Sequence, residues 1–156
     1  MLERVESVTI NYAREEFNPD APDWNRQMEL CEAHGVELRG FKPKLDTSRY
    51  LQIQKEGRLV LITARDIAGV LQGYSIHIWH RDLHFPVLVA QDDAWYVTPE
   101  LRKQGIGKCL REHALEELKK AGVRYAYGRL KTAHPHDGSM MELGYQEWET
   151  VWIKEL

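Results

Sequence analysis

The chain lacks most of the features that would move it outside ordinary globular proteins. It has only two cysteines, Cys31 and Cys109, among 156 residues. That is too few for a disulfide-built scaffold, so both read as buried free thiols in a reducing compartment. No apolar run approaches the roughly 20 residues that a membrane span needs. The opening Met1-Leu2-Glu3-Arg4-Val5-Glu6 carries charge where a secretory signal needs an apolar core, so a cytoplasmic location is expected. Basic residues are not in excess. The 21 Lys and Arg against 24 Asp and Glu leave a formal charge of −3, which argues against a broad nucleic-acid surface. Repeats and low-complexity tracts are missing as well. With 29% charged and 43% hydrophobic residues, the composition and length suit one globular domain over residues 1–156.

Hydrophobic patterning divides the chain into elements. Residues 5–12 alternate apolar and polar side chains and predict an opening strand. Trp24, Met28 and Cys31 recur at i, i+4 and i+7, predicting a helix over 23–34 that Gly35 stops, with a loop over 36–46. Asp46 is placed to cap a short helix through Lys55. From Arg58 the pattern becomes strand-like. Residues 59–64 and 67–79 read as a hairpin about Arg65-Asp66, and 87–97 as a third member of an antiparallel meander. A helix over 105–121 carries Ile106, Leu110, Ala114 and Leu118 on one face, with Arg111, Glu112, Glu116, Lys119 and Lys120 expected to face water. A strand over 123–130, a short helix over 137–143 and a final strand over 146–153 complete a mixed α/β domain around one sheet.

The sharpest local signal is the stretch from Ala94 to Lys108. A strand, Ala94-Trp95-Tyr96-Val97, passes through Pro99 into a basic, glycine-spaced loop that opens the long helix. The first N–H groups of a helix lack intrahelical partners, and the macrodipole makes that end partly positive. Gly105 and Gly107 admit a bulky anion to the backbone, and Arg102, Lys103 and Lys108 add charge, a combination suited to a diphosphate. Two common nucleotide loops do not fit. A P-loop needs four residues between its glycines and then Gly-Lys-Ser/Thr. The dinucleotide fingerprint needs Gly-x-Gly-x-x-Gly near a first strand. Here the pattern is Arg102-x-x-Gly105-x-Gly107, two thirds of the way along the chain.

That pattern resembles the acyl-CoA pyrophosphate loop of the GNAT family of N-acetyltransferases, whose signature is Gln/Arg-x-x-Gly-x-Gly/Ala after the fourth strand. Val97-x-Pro99-Glu100-x-Arg102 before the glycines, the long helix after them and a terminal Leu143-Gly144-Tyr145 follow the family's order over residues 58–156. The resemblance implies an α/β (α+β) GNAT-like single domain with a mixed, mostly antiparallel sheet of about six to seven strands and about four helices. It implies acetyl-CoA as co-substrate. Main-chain groups of Trp95, Tyr96 and Val97 would hold the pantetheine arm along a strand splayed at a bulge. Arg102, Lys103, Gln104, Gly105, Ile106, Gly107 and Lys108 would hold the pyrophosphate. A looser resemblance, Lys-x-x-His-x-His-x-Gly before the Leu-Gly-Tyr ending, points to a subgroup common among phage-encoded members.

Catalytic groups are less plainly written. Many members of that family place a glutamate base on the fourth strand and a tyrosine acid in the last helix. Ungapped counting from Arg102 puts the base position at Gln91 and the acid position at Met140, and neither residue can do that work. Asp92 and Asp93 follow immediately, and a bulge would bring either into the cleft; solvated edge charges are the competing reading. His134 and His136 open the last helix beside the expected sulfur, where a histidine can act as acid, base or amide-binding donor near neutral pH; helix capping is the alternative. His77, His80 and His84 have no partner cysteine or glutamate and alternate across a strand, so no metal site is expected there. The composition favours a cationic small-molecule or lysine amine as acceptor. The competing reading is a CoA-binding module with a regulatory or assembly role. The aromatic C-terminal strand offers a surface for a homodimer.

Overall fold

The fold is that of a computed structural model, which describes residues 8–130 and 138–156. Five strands form one sheet in sequential order: β1 (Asn11–Glu15), β2 (Leu59–Arg65), β3 (Leu71–Arg81), β4 (Leu88–Val97) and β5 (Val123–Tyr127). Helices α1 (Trp24–Arg39) and α2 (Thr47–Lys55) separate β1 from β2. Helix α3 (Ile106–Lys120) links β4 to β5, and a short α4 (Ser139–Glu142) follows. The first four strands pair antiparallel and β5 joins β4 in parallel, through a helical crossover as a parallel connection requires.

The apolar alternation of the strands builds two cores. Val60, Ile62, Ala64, Ala90 and Val97 meet Ile106, Leu110, Ala114 and Leu118 of α3 on one face. Leu59, Leu61, Leu71, Tyr74 and Tyr96 meet Phe17, Leu30 and Ile53 on the other, beneath α1 and α2. β2, the run Leu59-Val60-Leu61-Ile62-Thr63-Ala64, is buried on both faces because helices cover both. Fully burying one such Leu or Ile is worth about 1.5–3 kcal/mol.

Two irregularities in β4 position everything that follows. Ile76 pairs with Ala94 while the next residue, His77, pairs with Asp92, so Asp93 is an extra residue, a β-bulge. Pairing with β5 covers only Leu88 to Gln91, whereas pairing with β3 continues to Val97. Beyond Gln91 the two parallel strands splay. Among the described residues, no strand pairs with the β5-side edge of Asp92–Val97.

Several expectations are corrected. The sheet has five strands among the described residues, not six or seven. Residues 146–153 form no strand there: Trp148, Val151, Trp152 and Ile153 have the composition of a strand but stand exposed, and β-propensity acts only where a partner edge and a packing face are supplied. The opening strand lies at Asn11–Glu15. α1 runs through Gly35 and ends at Gly40, which has the positive φ of 75° of a helix C-cap. Gly35 stays helical because Pro43 packs where its side chain would be, 2.3 Å from an added Cβ. β3 starts later than expected because Asp66 accepts bonds from the N–H groups of Ala68 and Val70 and holds residues 66–70 in a turn. Cys31 and Cys109 are free and half-buried. No helix is long and apolar enough to cross a membrane among the described residues.

Candidate active site

The N-terminus of α3 is prepared for an anion. Gly105 is its N-cap with φ 81°, a backbone conformation that costs an ordinary residue roughly 1–2 kcal/mol. No side chain caps the helix, and an added Cβ at Gly105 would meet nothing within 4 Å. The N–H groups of Ile106, Gly107 and Lys108 have no intrahelical acceptor and no side-chain cap, at the positive end of a four-turn helix. Gly107 has a packing reason to be glycine as well. A Cβ there would lie 2.7 Å from the Trp95 ring, whose Nε1 donates to the Gly107 carbonyl at 3.1 Å. It is the glycine that lets the indole lie under the helix.

The basic residues of the loop divide by partner. Arg102 donates to the Val97 carbonyl at 2.9 Å and forms a two-pronged pair with Glu37 of α1 at 2.9 and 2.6 Å. Its guanidinium also lies over the Tyr96 ring, 5.2 Å from the centroid. Arg102 thus ties the loop to α1, a positioning task. Lys108 pairs with Glu142 of α4 at 2.8 Å. Lys103, at φ 64°, and Gln104 are exposed.

Below the bulge lies a buried ion pair. Arg111 of α3, expected on the water side, has a side chain 1% exposed and donates to Asp92 at 2.9 Å. Its guanidinium stacks on Trp95 at 4.1 Å from the ring centroid. Asp92 also accepts the Arg129 N–H at 2.9 and 3.1 Å, which spans the gap where β4 and β5 part. Removing either ion would leave the other charged and dry, so the pair is a structural unit with high stakes. His77 sits beside it, wholly buried, with Ser75 Oγ 3.3 Å from Nδ1. Burial and then the Arg111 charge push its pKa down to about 3, so the imidazole is neutral at all ordinary pH.

On the opposite face the bulge turns Asp93 outward, where Tyr50 of α2 donates its hydroxyl to the carboxylate. Burial, and then the charge of Asp93, hold the Tyr50 phenol well above the usual phenol range, so it remains a donor. A cleft of about 340 Å³ opens here, with His34, His80, Gln91, Asp93, Ala94 and Arg129 along its wall and Arg111 and Trp95 toward its floor. Gln91, where the pairing of β4 with β5 ends, and Arg129, which follows β5, are both in its lining.

Residues 13–143 match the Acetyltransferase (GNAT) family model. The chain belongs to the GNAT family. No curated protein sequence matches it. The GNAT fold is shared with a Trypanosoma brucei acetyltransferase (TM-score 0.73, 14% identity, covering 95% of this chain and 100% of that one). It is shared also with an aminoglycoside acetyltransferase from an uncultured soil metagenomic sample in complex with sisomicin (0.70, 15%, 94% and 96%). A third is the glucosamine-6-phosphate N-acetyltransferase of Arabidopsis thaliana (0.67, 13%, 94% and 98%).

Set on this GNAT frame, Asp92, Asp93 and Trp95 line one cleft, while Tyr96, Val97 and the loop 102–108 follow in the chain outside its lining. His134 and His136 lie outside the described residues. Met140 is buried and packs toward Gly128, where an added Cβ would meet its Cε at 2.1 Å. His77 is locked in the core, His80 reaches the cleft and His84 is exposed. No group of three or more metal-ligating side chains assembles among the described residues. Sequence reasoning did not find His34, Tyr50, Arg111 or Arg129. The first two come from helices with no motif; only a long-range pairing, which no local pattern carries, marks the others.

Proposed function

We propose that this chain is an acetyl-CoA-dependent N-acetyltransferase that acetylates a primary amine by direct attack in a ternary complex. The observation that carries this reading is the juxtaposition of an open strand edge, residues 92–97, with the uncapped N-terminus of α3. The residues present fit acetyl-CoA. Main-chain groups of Trp95, Tyr96 and Val97 would pair with its pantetheine arm as an added strand. The N–H groups of Gly105, Ile106, Gly107 and Lys108, with Lys103 and Gln104, would hold its pyrophosphate. Bound there, it supplies an activated thioester carbonyl.

The chain's own groups then divide the remaining work. Asp93, at the bulge and within the cleft, takes the proton that the attacking nitrogen gives up as the new C–N bond forms. A main-chain N–H near Val97 steadies the oxygen that becomes negative. The C–S bond breaks and the thiolate leaves; His134 or His136, just before α4, is the proposed proton donor to the sulfur. Asp92 takes no part in proton transfer, since Arg111 and the Arg129 N–H occupy its oxygens. Cys109 lies four residues into α3 and supports no covalent route.

One observation favours the second reading, CoA binding without turnover: Met140 stands buried where the resembling enzymes place a tyrosine acid. Thiol release from acetyl-CoA across an amine panel separates the two. Asp93→Asn is expected to lower kcat/KM by about 10²–10⁴-fold while acetyl-CoA affinity stays as in the wild type. His134→Ala should do the same to a smaller degree. Tight acetyl-CoA binding with no release for any amine would support the binding-module reading instead.

A further inference from the structure

The acceptor half of the cleft carries charges of both signs in a fixed order. Gln91 and Asp93 sit on either side of Asp92, with the bulge between β3 and β4 turning Asp93 toward α2. Asp93 is the negative group, held by Tyr50. Asp92 contributes no free charge, because Arg111 neutralises it. The positive group is Arg129, directly after β5. Its backbone N–H is fixed on Asp92, and its Nη2 donates to the neutral amide oxygen of Gln91 at 2.8 Å. Arg129 forms no salt bridge among the described residues, yet its guanidinium lines the cleft beside His34 and His80. An arginine fixed by a neutral partner keeps most of its donors and all of its charge for something else.

We infer that the acceptor amine also carries an oxyanion group, a carboxylate or a phosphate, which docks on Arg129 while the amine approaches Asp93. The pocket is complementary to a small zwitterion. A polycation would place a second ammonium against Arg129, and a like charge there is costly. The overall acidic composition points to a cationic acceptor, but net charge is a poor guide to one pocket, and Arg129, though exposed, stands in the cleft lining itself. His34 and His80, also in the cleft lining, add no carboxylate that would oppose the anion. The inference rests on the acetyltransferase reading for the role of Asp93, but the anion site itself does not depend on turnover.

Binding and transfer are therefore measured separately. Matched probe pairs, β-alanine against β-alaninamide and phosphoethanolamine against ethanolamine, are titrated by NMR into the protein with acetyl-CoA present, with putrescine as the dication. Each oxyanion-bearing probe is expected to bind at least about tenfold tighter than its neutral-tailed partner. Arg129→Met should erase that difference and leave acetyl-CoA affinity unchanged, because the backbone N–H that caps Asp92 is retained. Which pair shows the larger ratio distinguishes carboxylate from phosphate. Equal binding within both pairs, tighter binding of putrescine, no binding of any probe at millimolar concentration, or an unchanged ratio in Arg129→Met would overturn the inference. Selective binding with no thiol release would instead keep the anion site and remove the acetyltransferase reading. Thiol release with putrescine alone would do the reverse.

Discussion

The two halves of β4 are one continuous strand under opposite constraints. Leu88 to Gln91 is paired on both sides and ends the sheet's parallel register. Asp92 to Val97 keeps its pairing to β3 and loses β5, so its other edge has no strand partner among the described residues, although the Val97 carbonyl accepts from Arg102. Open edges invite unwanted pairing and are usually blunted by charge, bulges or cover. This one has the bulge and the charge, but its charged layer lies underneath, where Arg111 clamps Asp92 and supports Trp95. The first half of the strand is held by the sheet. The second is held by β3 on one side and by the Arg111 side chain of α3 beneath it.

That contrast can be broken at Arg111. Arg111→Met leaves Asp92 buried without its counter-ion and is expected to cost about 3–5 kcal/mol in denaturant unfolding. The double variant Arg111→Met with Asp92→Asn should recover most of the loss, because no lone charge then remains. A neutral Arg111→Met would mean that pairing to β3 alone supports the splayed half. Next in size is Gly107→Ala. Its methyl group would press on Trp95, so a loss of about 1–3 kcal/mol is expected, together with weaker acetyl-CoA binding as the indole moves.

His77 sharpens the comparison through pH. Its folded pKa is depressed to about 3, below the unfolded value near 6.5. Between those values the unfolded chain binds the extra proton, so stability falls as pH drops, by up to about 1.4 kcal/mol per pH unit. His77→Leu should flatten unfolding free energy against pH across that window; an unchanged slope would contradict the burial of a neutral imidazole beside Arg111. The smallest effect is expected far from β4, at the Glu15–Arg65–Asp23 cluster near the sheet's first edge. Hydrogen bonding from Arg65 holds the Glu15 carboxyl below its ordinary value against the opposing pull of burial, so its contribution is present above pH 4.5 and fades as pH falls through the folded value. Glu15→Gln should cost roughly 1 kcal/mol at neutral pH and much less in acid, as measured by thermal melts.

What the sequence disclosed follows the range of the forces involved. The loop and α3 were legible because glycine spacing and an i, i+4 stripe are local. The helix came out at Ile106–Lys120 against an expected 105–121. The Asp46 cap was legible for the same reason, and its carboxylate accepts the Arg49 N–H at 3.0 Å. The bulge showed only indirectly, when counting back from Arg102 fell on Gln91 and left Asp92 and Asp93 as the neighbouring carboxylates. Arg111 was misassigned to water because its position on the helix suits solvent by composition; its partner lies 19 residues away on another element. Gly107 was read as making room for a ligand, and the room it makes for the Trp95 ring was not legible. The cleft lining from His34 and Arg129, and the Tyr50 hydroxyl on Asp93, have no motif at all. They exist only once three elements meet.

The central claim is that the splayed half of β4 and the N-terminus of α3 together bind acetyl-CoA. Calorimetric titration of the purified protein with acetyl-CoA tests it most directly, with Gly105→Glu as the comparison and thermal melts confirming that this variant folds. Micromolar binding by the wild type is expected, with its loss when a carboxylate occupies the helix N-terminus. No heat of binding from a folded wild-type protein would contradict it and leave residues 102–108 as an ordinary turn into a helix.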